Sequence, residues 1–202
     1  MDSQFDIGLL MKSIKIMDII TKVKELAEQA HKDHVRNDET KTPYILHLAE
    51  VVELVTESGG SEEEIVAGWL HDVVEDTPTT IADIHREFGD QVGEMVAGLT
   101  DLPEWLTLTL QERKLKQAER VAHESASVKR VKLADQVSNI QIVGMGNLNF
   151  VMAENYAYLD TARKIAEVCQ GISPYLDKLF IERYNAALKN LKDIEEKRNR
   201  EV

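Results

Sequence analysis

Apolar residues recur every three or four positions along nearly the whole chain, and this spacing predicts amphipathic helices from one end to the other. One such stripe contains Leu176, Phe180, Ala187, Leu191 and Ile194. No segment shows the alternation of apolar and polar residues that is typical of a half-buried strand. We therefore expect an all-α protein, folded as a compact single domain of about eight to ten helices.

Local signals set the expected boundaries of these helices. Pro43 suits the first turn of the second helix, which stops at a pair of glycines. Ser61 and Glu64 form a capping box for the third helix, which ends before Pro78. The other helices are expected near residues 15–33, 80–87, 90–100, 109–122, 125–143, 150–170 and 174–198. We interpret residues 1–14 as an N-terminal extension and residues 15–198 as the folded domain, with frayed ends at 1–12 and 196–202.

Composition narrows the class of protein and its partners. The 202 residues carry a formal net charge of −12, which argues against nucleic-acid binding through a broad basic surface. No apolar stretch reaches the roughly 20 residues that span a bilayer, and the N-terminus lacks the pattern of a signal peptide. The single cysteine, Cys169, rules out an internal disulfide framework. We expect a cytoplasmic protein with no nucleic-acid or membrane partner; the sequence leaves the oligomeric state open.

Four ionisable residues stand together within residues 71–76, at the end of an otherwise apolar helix. Helical spacing puts His71 with Glu75, and Asp72 with Asp76, on shared faces. Burying such groups without partners is costly, whereas a metal ion is a natural partner for imidazole nitrogen and carboxylate oxygen. The alternative is a solvated acidic helix end, which the helix dipole disfavours. The segment therefore predicts a metal site.

Two further residues carry weaker signals when each is taken alone. His47 lies on the apolar face of the second helix, where a lone histidine is more often a satisfied core residue. Asp135 lies at the inner edge of another apolar helix, where it could be a cap or a salt-bridge partner. Asn139 follows one turn later on the same face.

Together, His47, His71-Asp72 and Asp135 give the order H…HD…D, which resembles the ligand pattern of the HD superfamily of metal-dependent phosphohydrolases. More segments match in order: Ala30-His31, Arg36, Thr42-Pro43-Tyr44-Ile45, Trp69–Thr77, Phe88-Gly89 and Lys132–Asn139. With them, residues 20–170 resemble the hydrolase domain of the RelA/SpoT family. The likeness is greatest to its small stand-alone alarmone hydrolases, such as the metazoan SpoT homologues.

This resemblance implies hydrolysis of the 3′-pyrophosphate of the guanosine nucleotides ppGpp and pppGpp, giving GDP or GTP and pyrophosphate. It implies one divalent ion, usually manganese, as the cofactor. The residues carried over are the ligands His47, His71, Asp72 and Asp135, the water-handling pair Glu75 and Asp76, and the substrate contacts Arg36, Asn139 and Tyr158. The expected partner is thus a small nucleotide.

Four positions depart from the family pattern: Asn37, Leu48, Gln136 and Ser138. We expect them to border the substrate pocket, so they leave open a different substrate, such as the 2′-phosphate of NADPH. A non-catalytic nucleotide sensor is a third reading, although a pure binder has no need for the acidic pair. Five further basic residues are candidates for phosphate binding, although each one alone is expected to be solvated rather than functional: Lys41, Arg113, Lys114, Lys129 and Lys132.

Overall fold

The computed structural model describes residues 7–146 and 151–200, and within them it confirms the all-α prediction. These residues form ten α-helices and one short 3₁₀ helix, and they contain no strand beyond an isolated antiparallel bridge between Val35 and Pro43. The α-helices are α1 (Ile7–Ala30), α2 (Ile45–Glu57), α3 (Glu62–Leu70), α4 (Val73–Asp76), α5 (Ile81–Phe88), α6 (Asp90–Leu99), α7 (Leu110–Val121), α8 (Ala126–Gly144), α9 (Met152–Cys169) and α10 (Pro174–Arg200). The 3₁₀ helix, Pro103–Thr107, was not predicted. Within the described ranges, no helix combines the length and apolar character needed to cross a membrane.

The helix starts follow from local capping chemistry. The predicted capping box at α3 is confirmed, because Ser61 Oγ accepts from the backbone N–H of Glu64 and Glu64 Oε2 accepts from the backbone N–H of Ser61. Reciprocal capping of this kind satisfies two of the free N–H groups at a helix start. Equivalent boxes open α5 and α7, where Thr80 and Thr109 cap the helices.

The N-terminal helix is longer than predicted. α1 begins at Ile7, well before the expected start at residue 15, and residues 7–12 are therefore helical rather than frayed. No proline interrupts residues 7–14, so nothing in that stretch stops the helix from extending. Residues 1–6, 147–150 and 201–202 lie outside the described residues. The domain boundary at residue 14 stays a proposal.

Pro43 lies in the loop between α1 and α2, whereas it was expected in the first turn of α2. The backbone N–H of Arg36 donates to Thr42 O at 2.8 Å, and that of Tyr44 donates to His34 O at 2.9 Å. Pro43 has no N–H to give and lies between these two bonds, so α2 starts only after it. This closed loop holds Arg36 near the start of α2.

The predicted third helix is interrupted at its chemically active end. α3 ends at Leu70, His71 follows as its C-terminal flanking residue, and the single turn α4 begins only at Val73. The prediction of one continuous helix to Thr77 was therefore wrong. His71 and Asp72 keep right-handed helical dihedral angles across the break, and Asp72 is the residue that precedes α4.

α8 lies at the centre of the fold and contacts α2, α3, α6, α9 and α10. Leu133 and Val137 on this helix are fully buried, as expected for a helix that is covered on all sides. Its end approaches α10 closely, since a Cβ on Gly144 would lie 2.6 Å from Ala187 Cβ. This central position carries Asp135 into the interior.

Candidate metal centre and substrate pocket

Four side chains from three separate parts of the chain converge on one point. His47 lies in the first turn of α2, His71 and Asp72 lie at the junction of α3 and α4, and Asp135 lies within α8. His71 Nε2 is 3.0 Å from Asp72 Oδ2 and 3.8 Å from Asp135 Oδ1. His47 Nε2 is 3.7 Å and 3.5 Å from the same two oxygens. The structure thus brings together all four residues that were predicted as metal ligands.

The two histidine rings are oriented for metal binding. His71 Nδ1 donates to the carbonyl oxygen of Gly68 at 2.8 Å, and His47 Nδ1 lies 2.8 Å from Ser138 Oγ. A carbonyl oxygen can only accept, so the neutral ring of His71 carries its proton on Nδ1 and a lone pair on Nε2. Both Nε2 atoms are buried and have no hydrogen-bond partner within the described residues. A divalent cation fits this set, because it would satisfy both nitrogens and offset the two carboxylates.

A chain of hydrogen bonds behind His47 fixes its ring. The Ser138 hydroxyl donates to Glu50 Oε2 at 2.6 Å, which leaves its oxygen to accept from His47 Nδ1. Arg183, on α10, donates to Glu50 Oε1 at 2.6 Å. Sequence analysis missed the roles of all three supporting residues. Only Glu50 carried a usable signal, since it follows His47 by three residues and so lies on the same helix face.

Asp135 is surrounded by donors. Its Oδ2 accepts from Gln136 Nε2 at 2.8 Å and lies 3.2 Å from Lys132 Nζ, while its Oδ1 accepts from Asn139 Nδ2. Lys132 is buried, so the expectation that it is solvated was wrong. Its ammonium group offsets the cost of placing a carboxylate in the interior.

The ionisable groups of this cluster shift one another's pKa values. Burial opposes ionisation of Asp72, but the positive charge of His71 and the close approach of both histidine rings hold the pKa of Asp72 well below its usual range. For Asp135, Lys132 and the two histidines overcome burial in the same way and lower its pKa. Burial would lower the pKa of His71, but Asp72 and Asp135 raise it to about 9. The cluster therefore attracts positive charge, whether a proton or a cation.

A cavity of about 320 Å³ opens beside the cluster. One set of lining residues is acidic, Asp72, Glu75, Asp76, Asp101 and Asp135, and another is basic, Arg36, Arg113, Lys114 and Lys132. Lys114 is only 8% exposed, and its Nζ lies 5.3 Å from the centroid of the Tyr158 ring. The expectation that Lys114 is solvated was therefore wrong. Cations and an aromatic face in one cavity suit a phosphorylated ligand that also carries a flat base.

The three predicted substrate contacts all line this cavity. Arg36 donates from NH2 to Asn139 Oδ1 at 2.7 Å, and Asn139 donates in turn to Asp135 Oδ1. Tyr158 reaches the cavity from α9. Arg36 and Asn139 thus form one hydrogen-bonded unit with a candidate metal ligand, which their separation in sequence did not indicate.

Glu75 and Asp76 also line the cavity, beside Asp72. The backbone N–H of Asp76 donates to Asp72 O at 3.0 Å, so these two residues lie one helical turn apart. Glu75 Oε1 accepts from the backbone N–H of Asp101 at 2.7 Å. Glu75 is an exposed residue, but the cavity wall partly shields its carboxyl group from water, and this desolvation together with the nearby charge of Asp72 raises the pKa of Glu75 to about 7. Asp76 Oδ2 instead lies 3.6 Å from His31 Nε2.

The four departures from the family pattern are not all at the pocket edge, as was expected. Of these four, only Asn37 lines the described cavity. Leu48 and Gln136 are fully buried, and Ser138 is held between His47 and Glu50. Leu48 and Gln136 therefore affect packing and ligand orientation, whereas Ser138 also accepts from Arg36 NH1 at 3.4 Å and so contacts a predicted substrate-binding residue.

The sequence matches a family of known proteins. A family model described as HD domain matches residues 24–170. The chain belongs to the HD-domain family. An HD domain implies a divalent metal ion, and the buried cluster of His47, His71 and Asp72 has ligand atoms close enough to hold one.

Relatives support the same assignment. Guanosine-3′,5′-bis(diphosphate) 3′-pyrophosphohydrolase MESH1 from Homo sapiens is 33% identical, over 76% of this chain and 86% of the human protein. MESH1 from Xenopus tropicalis is 39% identical, over 61% of this chain and 68% of the frog protein. A solved structure of a metazoan orthologue of SpoT, described as hydrolysing ppGpp, has a TM-score of 0.77 at 28% identity and covers 83% of this chain and 94% of its own.

Proposed function

We propose that this chain is a metal-dependent phosphohydrolase that removes the 3′-pyrophosphate of ppGpp and pppGpp. The observation that carries the proposal is the pair of buried Nε2 atoms of His47 and His71, which face two carboxylates beside a cavity lined by Arg36, Lys114 and Tyr158. Relatives over most of the chain are named for this reaction, which supports the same substrate. We also propose that it acts in the cytoplasm, as a nucleotide hydrolase.

The cation is proposed to be manganese, held by His47, His71, Asp72 and Asp135. Imidazole and carboxylate ligands suit such a divalent transition-metal ion. When bound, it would lower the pKa of a coordinated water and offset negative charge on the phosphoryl group. The protein supplies the rest of the arrangement, including ring orientation by Gly68 O and Ser138 Oγ.

The substrate is proposed to lie with its phosphates toward Arg36 and Lys114 and its base toward Tyr158. Arg36 can grip a phosphate through two parallel N–H groups, or stack on the base, whereas Lys114 offers a point charge. Local cations are needed because the whole chain has a net charge of −12. Asn139 keeps Arg36 and Asp135 in register, so that the phosphate and the reacting centre stay adjacent.

Glu75 is proposed to handle the proton of the attacking water, with Asp76 beside it. The water oxygen bonds to the phosphorus attached to the 3′-oxygen, and that phosphorus–oxygen bond breaks. The proton released by water passes to Glu75 and then to the departing 3′-oxygen, so that GDP or GTP leaves with a 3′-hydroxyl and pyrophosphate is the other product. A carboxyl group whose pKa is about 7 can both accept and return a proton near neutral pH.

Removal of the 2′-phosphate of NADPH is the alternative reaction. The support for this alternative was that four residues at the pocket edge differ from the family pattern. Of these four, Asn37 alone lines the described cavity, so the support is weaker than the sequence suggested. A non-catalytic sensor is disfavoured by the position of Glu75, whose carboxylate faces the same cavity as the metal cluster.

The deciding experiment is a product analysis by ion-exchange chromatography, with manganese and with ppGpp, pppGpp or NADPH as the substrate. We expect GDP or GTP plus pyrophosphate, and little phosphate release from NADPH. Lys114→Ala should raise KM for ppGpp, whereas Lys116→Ala, on an exposed position of the same helix, should not. A parent enzyme that dephosphorylates NADPH and leaves ppGpp intact would overturn the proposed substrate.

A further inference from the structure

A second cluster of metal-binding side chains lies outside the H…HD…D set. It combines His31, just after α1, with His34 in the following loop and Asp76 at the end of α4. One ligand atom from each residue lies within 4.8 Å of the others. His31 Nε2 and Asp76 Oδ2 are 3.6 Å apart. Two ligands around a tetrahedral ion with bonds of about 2.1 Å lie about 3.4 Å apart, so this pair needs little movement to share an ion.

His31 is prepared as a ligand in the same way as His71. Its Nδ1 donates to the carbonyl oxygen of Ala27 at 3.0 Å, so the neutral ring keeps a lone pair on Nε2. The side chain is fully buried, and Nε2 has no hydrogen-bond partner within the described part of the chain. A buried nitrogen without a partner is uncommon in folded proteins. This nitrogen points at the carboxylate of Asp76.

The ring of Tyr44 contacts histidines of both clusters. It stacks on His31, with centroids 5.3 Å apart and planes at 21°, and it meets His34 edge to face. It also packs edge to face against His47, with centroids 5.3 Å apart, and its hydroxyl donates to Asp72 Oδ2 at 2.6 Å. One aromatic ring therefore contacts histidines of both clusters, and the two groups of ligand atoms share no residue.

We propose that His31, His34 and Asp76 form a second site for a divalent transition-metal ion. Two imidazole nitrogens and one carboxylate oxygen suit Zn²⁺, Mn²⁺ or Co²⁺, whereas Mg²⁺ and Ca²⁺ prefer oxygen ligands alone. Three protein ligands leave a coordination position for water, since half-exposed His34 and exposed Asp76 open the cluster to solvent.

The second site has a consequence for Asp76. An ion bound there would engage its carboxylate and hold α4 against the end of α1. The inference shares Asp76 with the proposed function, but it concerns metal binding, so its test by metal content is separate from the test of the substrate.

The test is metal stoichiometry, measured by equilibrium dialysis against Zn²⁺ followed by elemental analysis. The parent is expected to bind two equivalents. His34→Ala removes a ligand from a partly exposed loop position and should leave one equivalent, and His31→Gln should do the same. His71→Ala should also leave one, and the His34→Ala and His71→Ala double variant none. His123→Ala, an exposed histidine on another part of the surface, should keep two.

A parent that binds one equivalent, or a His34→Ala variant that still binds two, would overturn the second site. The first outcome would mean that His31 and Asp76 lie side by side without holding an ion. Loss of one equivalent in His123→Ala as well would assign the extra ion to exposed histidines and would equally overturn the proposal. Circular dichroism on each variant separates loss of a ligand from loss of the fold.

Discussion

Arg36 and Asn139, 103 residues apart in the sequence, are joined by a hydrogen bond of 2.7 Å from the guanidinium group to the amide oxygen. Asn139 passes the connection on to Asp135. The loop before α2 and the centre of α8 are thereby tied at the wall of the cavity. Asn139 can therefore position the proposed substrate contact, Arg36, relative to the proposed metal ligand, Asp135.

The first prediction concerns this contact. Arg36→Ala should raise KM for ppGpp and leave the metal content unchanged, because the guanidinium group is not itself a ligand. Arg36→Lys should restore little if stacking on the base dominates, and more if charge dominates. Steady-state kinetics with metal analysis of both variants checks this. An unchanged KM in Arg36→Ala would remove Arg36 from the substrate site.

The second prediction concerns the metal cluster. His71→Ala or Asp72→Ala should remove the cation from the first site and abolish activity together, because each variant deletes a ligand and leaves a buried partner unpaired. His123→Ala is the matched control, since it deletes an exposed histidine. Metal content is measured by elemental analysis and activity by product release. A variant at Asp72 that stays active without bound metal would contradict the ligand assignment.

The third prediction concerns the proton-transfer residue. Glu75→Gln should keep the first-site cation and nucleotide binding, while turnover falls by about 10²–10⁴-fold, the usual contribution of general acid–base catalysis. Glu119→Gln, an exposed residue on α7, serves as the control. Single-turnover kinetics with calorimetric binding separates the two effects. Turnover within a few-fold of the parent would show that Glu75 has another role.

The fourth prediction concerns orientation of His47. Ser138→Ala removes the acceptor of His47 Nδ1 and one donor to Glu50. Loss of such a supporting contact typically weakens metal affinity about 10–100-fold. Ser127→Ala, on the partly exposed part of the same helix, should have no effect. Competition with a metal-binding dye measures the metal affinity of both variants and of the parent. An equal affinity in Ser138→Ala and the parent would mean that Ser138 does not orient His47.

The fifth prediction concerns pH. Without a cation, Asp72 and Asp135 raise the pKa of His71 from 6.5 to about 9, so that a proton must leave before Nε2 can bind metal. Affinity should therefore fall about tenfold for each pH unit below about 9 and level off above it. Titrations with Mn²⁺ between pH 6 and pH 10 test the slope. An affinity that does not change over this range would show that no proton is displaced.

Much of this fold could be predicted from local chemistry, and the exceptions have physical causes. The capping box at Ser61 is a contact within four residues, so the sequence contains all of it. The break between Leu70 and Val73 has no glycine or proline to mark it, so the sequence pattern did not reveal it. The 3₁₀ helix at Pro103–Thr107 is short and carries no periodic stripe.

The candidate site also combines features that the sequence could predict with features that only tertiary structure supplies. The ligand residues could be found because their types and order are distinctive, even though His47 and Asp135 were weak signals alone. The supporting contacts could not, because the Glu50–Arg183 pair spans 133 residues and both members are ordinary surface residues by type. Lys114 and Lys132 were misjudged for a related reason, since burial of a lysine depends on the neighbours that tertiary structure supplies.

The Arg183–Glu50 contact has a consequence for the smallest working unit of this protein. The matched family region ends at residue 170, yet α10 lies beyond it and supplies the cation that anchors Glu50, and through Ser138 the ring of His47. A shortened protein ending at residue 170 would keep every proposed ligand and every residue of the cavity wall. It would nevertheless lose Arg183 and with it the hydrogen bond that holds Glu50. A minimal enzyme should therefore include α10 rather than end at the edge of the matched family region.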